Sequence, residues 1–309
     1  MNTLSFHLDN YLKLRRQLGF KLRGAGLMLC KFVRFAEQEK APFVTTDLSL
    51  RWATQPVNIR LSQSAVRLGH VRRFAQYMSS IDPRTEVPPT GLLPCQFRRR
   101  APHLYQGKDI LRLMEATRQI DHTNEFKGVS YATLIGLLAV TGMRLGETLA
   151  LDRQDVDLAQ GLITVRRAKG NKSRLVPLHP STQRALQRYA DMRNQTFPQP
   201  LSPSFFVSER GTRLADDSVN RWFLLVSCQI GLRKPGGRRG PRVHDLRHNF
   251  AIQTLLRWYR ANVDVEVHLP ELSTYLGHVH VRHTYWYLSA VPELLKLATL
   301  RWQRREGAQ

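Results

Sequence analysis

The sequence predicts a mainly α-helical protein with a small antiparallel β hairpin, divided into two domains. Three observations predict this class. Apolar residues recur at helical intervals along most of the chain. Residues that favour β strands are concentrated in one short stretch around Gly170 and Asn171. A proline-rich segment separates two parts that are each long enough to bury a core. We therefore expect a small helical domain over 1–85, a linker over 86–103 and a larger domain over 104–309.

The N-terminal domain is predicted to be helical throughout. Apolar residues recur at helix-like spacing from Leu8 to Glu37, with an interruption near Gly24 and Gly26. Further helices are expected over about 46–54 and 62–78. One face of the last helix is basic and carries Arg67, Arg72 and Arg73. For any one of these arginines, simple solvation of a helix surface is the plainer interpretation.

The segment between the domains has the composition of a semi-rigid linker. It reads IDPRTEVPPTGLLPCQFRRRAPH, from Ile81 to His103, and is rich in proline. It ends in a basic run formed by Arg98, Arg99 and Arg100.

The larger domain is predicted to combine helices with the hairpin. KDILRLMEATRQI and YATLIGLLAVTGMRLGETLAL read as helices, and the second is almost wholly apolar, which is typical of a buried helix. Two β-prone runs, Leu162–Arg166 and Arg174–Leu178, flank the turn residues of the hairpin. Later helices are expected over 181–194, over 217–229 and from His244 onward.

The charge of the chain indicates a polyanionic partner. Lysine and arginine number 47 against 24 acidic residues, which gives a net charge of +23 and an isoelectric point near 10.8. Such a surplus favours nucleic acid, and the planar arginine side chain suits phosphate. An anionic membrane surface is the alternative, but the charge is spread along the chain and not collected on one amphipathic helix. The basic linker is then either a strap across a nucleic-acid backbone or a simple tether.

Membrane insertion and a disulfide framework are both disfavoured. No apolar run is long enough to cross a bilayer, and the N-terminus lacks the apolar stretch of a signal peptide. The cysteines, Cys30, Cys95 and Cys228, are few, odd in number and widely spaced. We therefore expect reduced thiols, a cytoplasmic, nucleoid-associated location and no membrane partner.

Several separated segments carry residues suited to phosphodiester chemistry. Arg144 follows a buried helix, Lys169 lies at the hairpin turn, and His244 and Arg247 share one helical face. His278 precedes two tyrosines. Guanidinium groups can bind the non-bridging oxygens of a phosphate, and tyrosine is a competent nucleophile once histidine accepts its proton. His280 and His283, with His278, raise the alternative of a metal site, but neither cysteine nor carboxylate lies nearby in sequence, so we expect no metal.

The same segments resemble the tyrosine recombinases, the phage integrase family. TGMRLGETLAL, AKGNKSRLVPL, HDLRHNFA and LGHVHVRHTYWYL resemble the successive motifs of that family and stand in its order over residues 105–295. The resemblance implies a C-shaped DNA clamp made of a helical core-binding domain and a catalytic domain. It also implies cleavage and rejoining of DNA through a 3′-phosphotyrosyl intermediate, with no cofactor.

The resemblance implies a role for individual residues. Arg144, Lys169, His244, Arg247 and His278 match the family's catalytic set, and Glu147 is expected to orient Arg144. Tyr287 lies nine residues after His278, as the family's nucleophile does. Tyr285 lies about 200° away around a helix and cannot occupy the same place. His248 is interpreted as a structural residue and Lys172 as the alternative acid. The DNA contacts are predicted to be Arg67, Arg72, Arg73, Arg98, Arg99, Arg100, Lys172 and Arg174.

The implied partners are double-stranded DNA at a specific recombination site and three further copies of the chain, which form a homotetramer on DNA. Whether other recombinases of the same mobile element take part is left open. A type IB topoisomerase and a non-catalytic DNA-binding relative are the alternatives. The stretch between Arg247 and His278 is longer than in compact relatives, so its local geometry is also left open.

Overall fold

The computed structural model describes residues 3–56, 59–94, 100–119, 124–166, 173–237 and 239–306. The chain divides into two compact units, unit 1 (Met1–Arg99) and unit 2 (Arg100–Gln309). The described residues form one apolar core in unit 1 and two in unit 2. The prediction of a mainly helical protein with a small antiparallel sheet is confirmed.

Unit 1 is built from helices whose apolar faces meet in one core. Thr3 and Thr45 begin two of them, since each side chain accepts a hydrogen bond from a backbone N–H of the first turn. In the core, the Phe32 ring lies edge-on to Trp52, with the ring centroids 5.4 Å apart. The helices are α1 (Leu4–Gln17), α2 (Arg23–Gln38), α3 (Thr46–Thr54) and α4 (Leu61–Met78).

The break between α1 and α2 lies earlier than the sequence indicates. Gly19 follows α1 with φ +87°, a left-handed conformation that glycine adopts without steric cost. Gly24 and Gly26, where the sequence predicts the interruption, are both helical. Gly26 lies against the side chain of Leu12 in α1. A glycine inside a helical pattern therefore marks close packing here and not a helix end.

Unit 2 combines helices with a small sheet. Its helices before the sheet are α5 (Gly107–Gln119), α6 (Glu125–Thr141), α7 (Leu145–Leu149) and a 3₁₀ turn (Arg153–Asp155). The strands are β1 (Val156–Asp157), β2 (Leu162–Val165) and β3 (Arg174–Pro177). The later helices are α8 (Pro180–Thr196), α9 (Asp216–Gln229), α10 (Val243–Arg260), α11 (Val265–Leu276), α12 (Arg282–Ala290) and α13 (Pro292–Glu306).

The strands form an antiparallel sheet in the order β1-β2-β3. Ile163 in β2 pairs with Val156 on one side and Val176 on the other. The predicted pairing of β2 with β3 is therefore confirmed. β1 has two residues, too few for strand alternation to show in a sequence, and we did not predict it. The predicted turn at Gly170-Asn171 lies outside the described residues.

α6 runs through the core of unit 2, as its apolar sequence predicts. Most of its residues are buried, among them Leu134 and Leu138, whereas Val140 is 52% exposed. The helix ends at Gly142, whose φ of +62° makes it a left-handed C-cap. α10 packs against α6 and begins with Asp245 accepting the backbone N–H of Arg242 at 2.9 Å.

The stretch between Arg247 and His278 that the sequence leaves open contains the rest of α10, which ends at Arg260, and the whole of α11. The Asp264 side chain accepts the backbone N–H of Glu266 at the start of α11, and Gly277 ends it with φ +67°. Pro270 lies inside the helix. A proline in a helix interior removes a backbone donor and argues against helix in a sequence, so it conceals α11.

The last helices form a second core in unit 2. α12 and α13 pack against α10, and the buried residues between them include Ile252, Leu255, Tyr287 and Leu294. None of the helices in the described ranges is both long enough and apolar enough to cross a bilayer.

Candidate active site

A cluster of polar side chains in unit 2 is formed where the ends of α6 and α11 meet the starts of α7 and α10, beside α12. Arg144 stands just after α6 and immediately before α7. His244 and Arg247 lie in the first two turns of α10, and His278 follows the end of α11. Tyr287 comes from α12. The contacts described below join these segments into one site.

Arg247 connects three of the helices. It is buried, with 2% of the residue exposed, and its terminal nitrogens donate to the carbonyl oxygens of Gly142 (2.8 Å) and Leu276 (2.7 Å). Both carbonyls belong to helix C-termini, where backbone oxygens lack helical partners and carry partial negative charge. Burial and the nearby Arg144 lower the pKa of Arg247 to about 10, so the guanidinium remains charged at neutral pH. The site therefore holds a buried cation whose charge is not cancelled by a carboxylate of its own.

Arg144 is held from two sides. One terminal nitrogen donates to Glu147 Oε1 at 2.6 Å and the other to the carbonyl oxygen of Gly277 at 2.8 Å. Burial would raise the pKa of Glu147, but the hydrogen bonds and charges of Arg174 and Arg144 outweigh it and lower the pKa. Glu147 is thus an ionised carboxylate that fixes the orientation of the Arg144 guanidinium.

The two glycine caps are required for this arrangement. A Cβ atom on Gly142 would lie 2.5 Å from the Phe250 ring, and a Cβ atom on Gly277 would lie 2.9 Å from a terminal nitrogen of Arg174. Both residues also have positive φ, which disfavours any side chain. These positions allow the ends of α6 and α11 to approach the arginines closely.

Arg174 is a member of the site that the sequence analysis placed elsewhere, as a DNA contact. Its Nε donates to the carbonyl oxygen of Tyr275 at 2.8 Å, and one terminal nitrogen donates to Glu147 Oε2 at 2.7 Å. Its side chain is 11% exposed. The strand pattern could have indicated this position, because Arg174 and the buried Val176 are two residues apart and so share the inward face of β3. Arg174 ties β3 to Glu147 and to the end of α11.

Tyr287 lies among the histidines. The residue is 2% exposed, and its hydroxyl is 3.2 Å from Nδ1 of His248. Its ring stacks on His278 with centroids 6.2 Å apart, and His278 Nδ1 hydrogen-bonds with Thr284 Oγ1 at 2.7 Å. His248 in turn lies edge-on to His244, 4.6 Å between ring centroids.

The histidines of the cluster are neutral at physiological pH. Burial lowers the pKa of His248 to about 4 and that of His278 to about 3, and in both cases neighbouring positive groups add to the effect. The pKa of His244 is also lowered by burial and by Arg247. A neutral imidazole has one nitrogen that accepts a hydrogen bond, so these rings can accept a proton from a neighbouring hydroxyl.

The two tyrosines of the late segment have opposite environments. Tyr285 is 52% exposed, whereas Tyr287 is buried in the cluster. This difference follows from their spacing of two residues on α12, which points the side chains in different directions.

The predicted DNA contacts outside the cluster have protein partners of their own. Arg67 donates to the carbonyl oxygen of Trp52, Arg72 to those of Pro88 and Pro89, and Arg73 to that of Gly69. Of these three arginines, Arg73 is exposed. In unit 2, Arg100 donates to the carbonyl oxygen of Gly240 at 2.8 Å. The predicted residues Arg98, Arg99, Lys169 and Lys172 lie outside the described residues.

No group of three or more histidine, cysteine or acidic side chains able to hold a metal ion occurs among the residues that the structure describes.

The chain matches the model of the phage integrase family over residues 105–293, more than half of its length. It is 46% identical over 309 residues to the "Putative integrase/recombinase y4rB" of Sinorhizobium fredii, covering 99% of this chain and 98% of that protein. It is 30% identical over 227 residues to tyrosine recombinase XerC of Pseudomonas fluorescens, covering 73% of this chain and 69% of XerC.

Solved structures share the fold at low sequence identity. The Tn1549 transposon integrase, in complex with transposon right end DNA, superposes with a TM-score of 0.66 at 14% identity and covers 96% of this chain and 98% of its own. A λ integrase tetramer bound to a Holliday junction gives a TM-score of 0.61 at 17% identity, over 93% of this chain and 77% of that chain.

The chain belongs to the phage integrase family, the family of the tyrosine recombinases. It is a site-specific DNA recombinase, and the comparisons do not favour a topoisomerase or a non-catalytic relative.

Proposed function

We propose that Tyr287 is the nucleophile of this recombinase. Its hydroxyl oxygen attacks the phosphorus of a DNA phosphodiester, and the bond from phosphorus to the 5′-oxygen breaks. The products are a 3′-phosphotyrosyl link and a free 5′-hydroxyl. Attack by the 5′-hydroxyl of a partner strand reverses the step and releases Tyr287. The phosphodiester energy stays in the covalent link, so the exchange needs neither ATP nor a cofactor.

Arg144 and Arg247 bind the non-bridging oxygens of the scissile phosphate in this proposal. Both are oriented by the protein, Arg144 by Glu147 and Arg247 by two backbone carbonyls. Oriented cations stabilise the extra charge of a pentacoordinate phosphorus without reorganising during the reaction. His244 and His278 complete the phosphate site as hydrogen-bonding groups, and Lys169 protonates the leaving 5′-oxygen.

One observation carries the assignment of Tyr287. Its hydroxyl lies at hydrogen-bonding distance from a histidine nitrogen, within the cluster that holds both arginines. Tyr285, two residues away, is mostly exposed. A nucleophile needs a proton acceptor within reach, and the buried tyrosine has one.

The proposed partner is double-stranded DNA with a specific recombination site. The net charge of +23 supports a polyanionic partner, and relatives of similar fold were solved on DNA. We further propose a homotetramer on DNA, supported by the λ integrase tetramer, in the bacterial cytoplasm at the nucleoid. The names of similar proteins, integrase and transposon integrase, support a role in a mobile element.

Covalent trapping on nicked DNA tests the assignment of the nucleophile. A nick close to the cleavage site lets the short 5′-hydroxyl fragment diffuse away, so the protein–DNA adduct accumulates. Tyr287→Phe should bind DNA as the unmodified protein does and form no adduct. Tyr285→Phe, the matched control on the same helix, should form the adduct. The assignment is wrong if the effects of the two substitutions are exchanged.

A further inference from the structure

His248 lies beside the proposed nucleophile and is not one of the catalytic residues that the family resemblance implies. It lies one helical turn after His244 on α10, and its Nδ1 is 3.2 Å from the hydroxyl of Tyr287. Its ring packs edge-on against the rings of Tyr287 and Trp286, with centroid separations of 5.5 Å and 5.2 Å. Contacts with both aromatic rings fix the imidazole plane, so that Nδ1 faces the tyrosine oxygen.

We propose that His248 is a further catalytic residue, which holds the hydroxyl of Tyr287 and accepts its proton when the tyrosine attacks DNA. The inference rests on the proposal that Tyr287 is the nucleophile. In the forward step the Tyr287 O–H bond breaks, the proton passes to His248 Nδ1, and the oxygen forms its bond to phosphorus as the 5′-oxygen leaves. In the reverse step the imidazolium returns the proton to the departing tyrosine oxygen.

Two neighbouring groups are less suited to accept the proton of Tyr287. Nδ1 of His278 hydrogen-bonds with Thr284, and its ring lies nearly parallel to that of Tyr287, at an interplanar angle of 23°. Arg247 donates to two carbonyl oxygens and, as a cation, has no lone pair to accept a proton. The hydrogen bond described between an imidazole nitrogen and the Tyr287 hydroxyl is the one made by His248.

The electrostatic surroundings of His248 suit a proton acceptor that works only with DNA in place. Without DNA, burial and the neighbouring positive groups keep the ring neutral, with a lowered pKa, so its lone pair is available. A bound phosphodiester adds a negative charge, which favours the imidazolium and raises that pKa. The titratable and charged groups that face His248 are Arg242 just before α10, His244, Asp245 and Arg247 on α10, Tyr287 on α12, and His278 after α11.

His248→Asn separates holding the hydroxyl from taking the proton. The asparagine amide reaches the place of Nδ1 and can accept a hydrogen bond, but it cannot carry a proton at neutral pH. His179→Asn is the matched control, because His179 is exposed, lies at the start of α8 and caps that helix, a role that asparagine fulfils. The measured quantities are DNA affinity and the rate of adduct formation on nicked DNA between pH 6 and pH 9.

We expect His248→Asn to bind DNA normally and to form the adduct about 100-fold more slowly at neutral pH, the lower end of the usual contribution of a general base. Its rate should rise with pH, because hydroxide then generates the tyrosinate that His248 no longer produces. Sulfur in place of the 5′-bridging oxygen should not restore the rate of His248→Asn, because the substitution impairs activation of the nucleophile and leaves protonation of the leaving group intact. His179→Asn should match the unmodified protein.

A His248→Asn protein that forms the adduct at the unmodified rate, with the same pH profile, overturns the proposal. If the variant loses DNA binding, nitrogen NMR of the unmodified protein and of Tyr287→Phe answers the same question. Removal of the hydroxyl should then shift the Nδ1 resonance of His248 and leave that of His179 unchanged, and an unshifted His248 resonance overturns the proposal.

The two proposals fail in different ways. If Tyr287→Phe still forms the adduct, the assignment of the nucleophile is wrong. If Tyr287→Phe forms none while His248→Asn behaves as the unmodified protein, only the role of His248 is wrong.

Discussion

The positive charge at the centre of the site is held mainly by backbone carbonyls. Arg247 donates to Gly142 and Leu276, and Arg144 donates to Gly277. These oxygens orient the guanidinium groups without neutralising them, whereas a carboxylate partner would cancel a charge. Glu147 is the exception, and it is shared between Arg144 and Arg174, so one negative charge serves two positive ones. The cluster as a whole keeps an excess of positive charge for a phosphate.

We expect Lys169→Ala to slow adduct formation on ordinary DNA by roughly 100-fold or more, a common size for the loss of a general acid. Without the lysine, the leaving 5′-oxygen departs unprotonated. A substrate with sulfur at the 5′-bridging position has a far better leaving group and should largely restore the rate. Lys172→Ala tests the alternative acid: if Lys169 is the acid, Lys172→Ala should show a small defect that the sulfur substrate does not relieve. Equal defects of Lys169→Ala on the two substrates would rule out the acid role.

His248→Asn and Lys169→Ala should therefore differ in what restores them. High pH should raise the rate of adduct formation by His248→Asn, and the sulfur substrate should raise the rate of Lys169→Ala. This contrast separates activation of the nucleophile from protonation of the leaving group in a single set of rate measurements.

Among the elements, the last helix is partly packed on its own unit. Leu294 is buried and Leu297 lies against the core formed by α10, α11 and α12. Arg301 hydrogen-bonds to the carbonyl oxygen of Val263 and so fastens the helix to the start of α11. Leu300 is 41% exposed. We propose that α13 also contacts a neighbouring copy in the tetramer through its exposed apolar residues. Leu300 is available for this contact and Leu297 is not, and the side chain of Trp302 lies outside the described residues.

We expect Leu300→Lys to bind a single DNA site normally and to reduce assembly of the tetrameric complex and strand exchange at least tenfold, because a charge replaces an apolar contact between copies. Thr299→Lys adds the same charge at the neighbouring exposed position and should assemble normally. Sedimentation of the DNA complexes and a recombination assay measure the two effects. Normal recombination by Leu300→Lys would mean that α13 serves its own unit alone.

The sequence predicts the elements whose signals are local. The predicted range 46–54 is the range of α3, which Thr45 caps at its N-terminus. The sequence does not predict α11, because Pro270 is a strong local signal against a helix and tertiary packing overrides that signal. In the site, the motif spacing singles out Tyr287, but the roles of His248 and Arg174 depend on contacts across 39 and 27 residues, which periodicity cannot show. His248 does share a helical face with His244, and that spacing was the available signal.

For the whole molecule, the surplus of basic residues should dominate the affinity for DNA. At +23, the chain is expected to displace counterions from several phosphates when it binds. If six or more phosphates are neutralised, affinity should fall by about 10³ or more between 50 and 200 mM salt. Affinity measured against salt concentration gives the slope, and a slope near zero would contradict the electrostatic account.

Two arginines of α4 refine this expectation. Arg73 is exposed, so Arg73→Ala should reduce the salt slope by about 1, the change that loss of one phosphate contact produces. Arg72 donates to the carbonyl oxygens of Pro88 and Pro89. Arg72→Ala should therefore lower the melting temperature of the protein in the absence of DNA. An unchanged slope for Arg73→Ala would remove that residue from the DNA contacts.

The most direct test of the account is to locate the covalent link. The adduct trapped on nicked DNA is digested with protease and nuclease, and the peptide HTYWYLSAVPELLK, which contains both Tyr285 and Tyr287, is sequenced by mass spectrometry. We predict a nucleotide joined through its 3′-phosphate to Tyr287. A link to Tyr285, to any other residue, or through a 5′-phosphate would contradict the account.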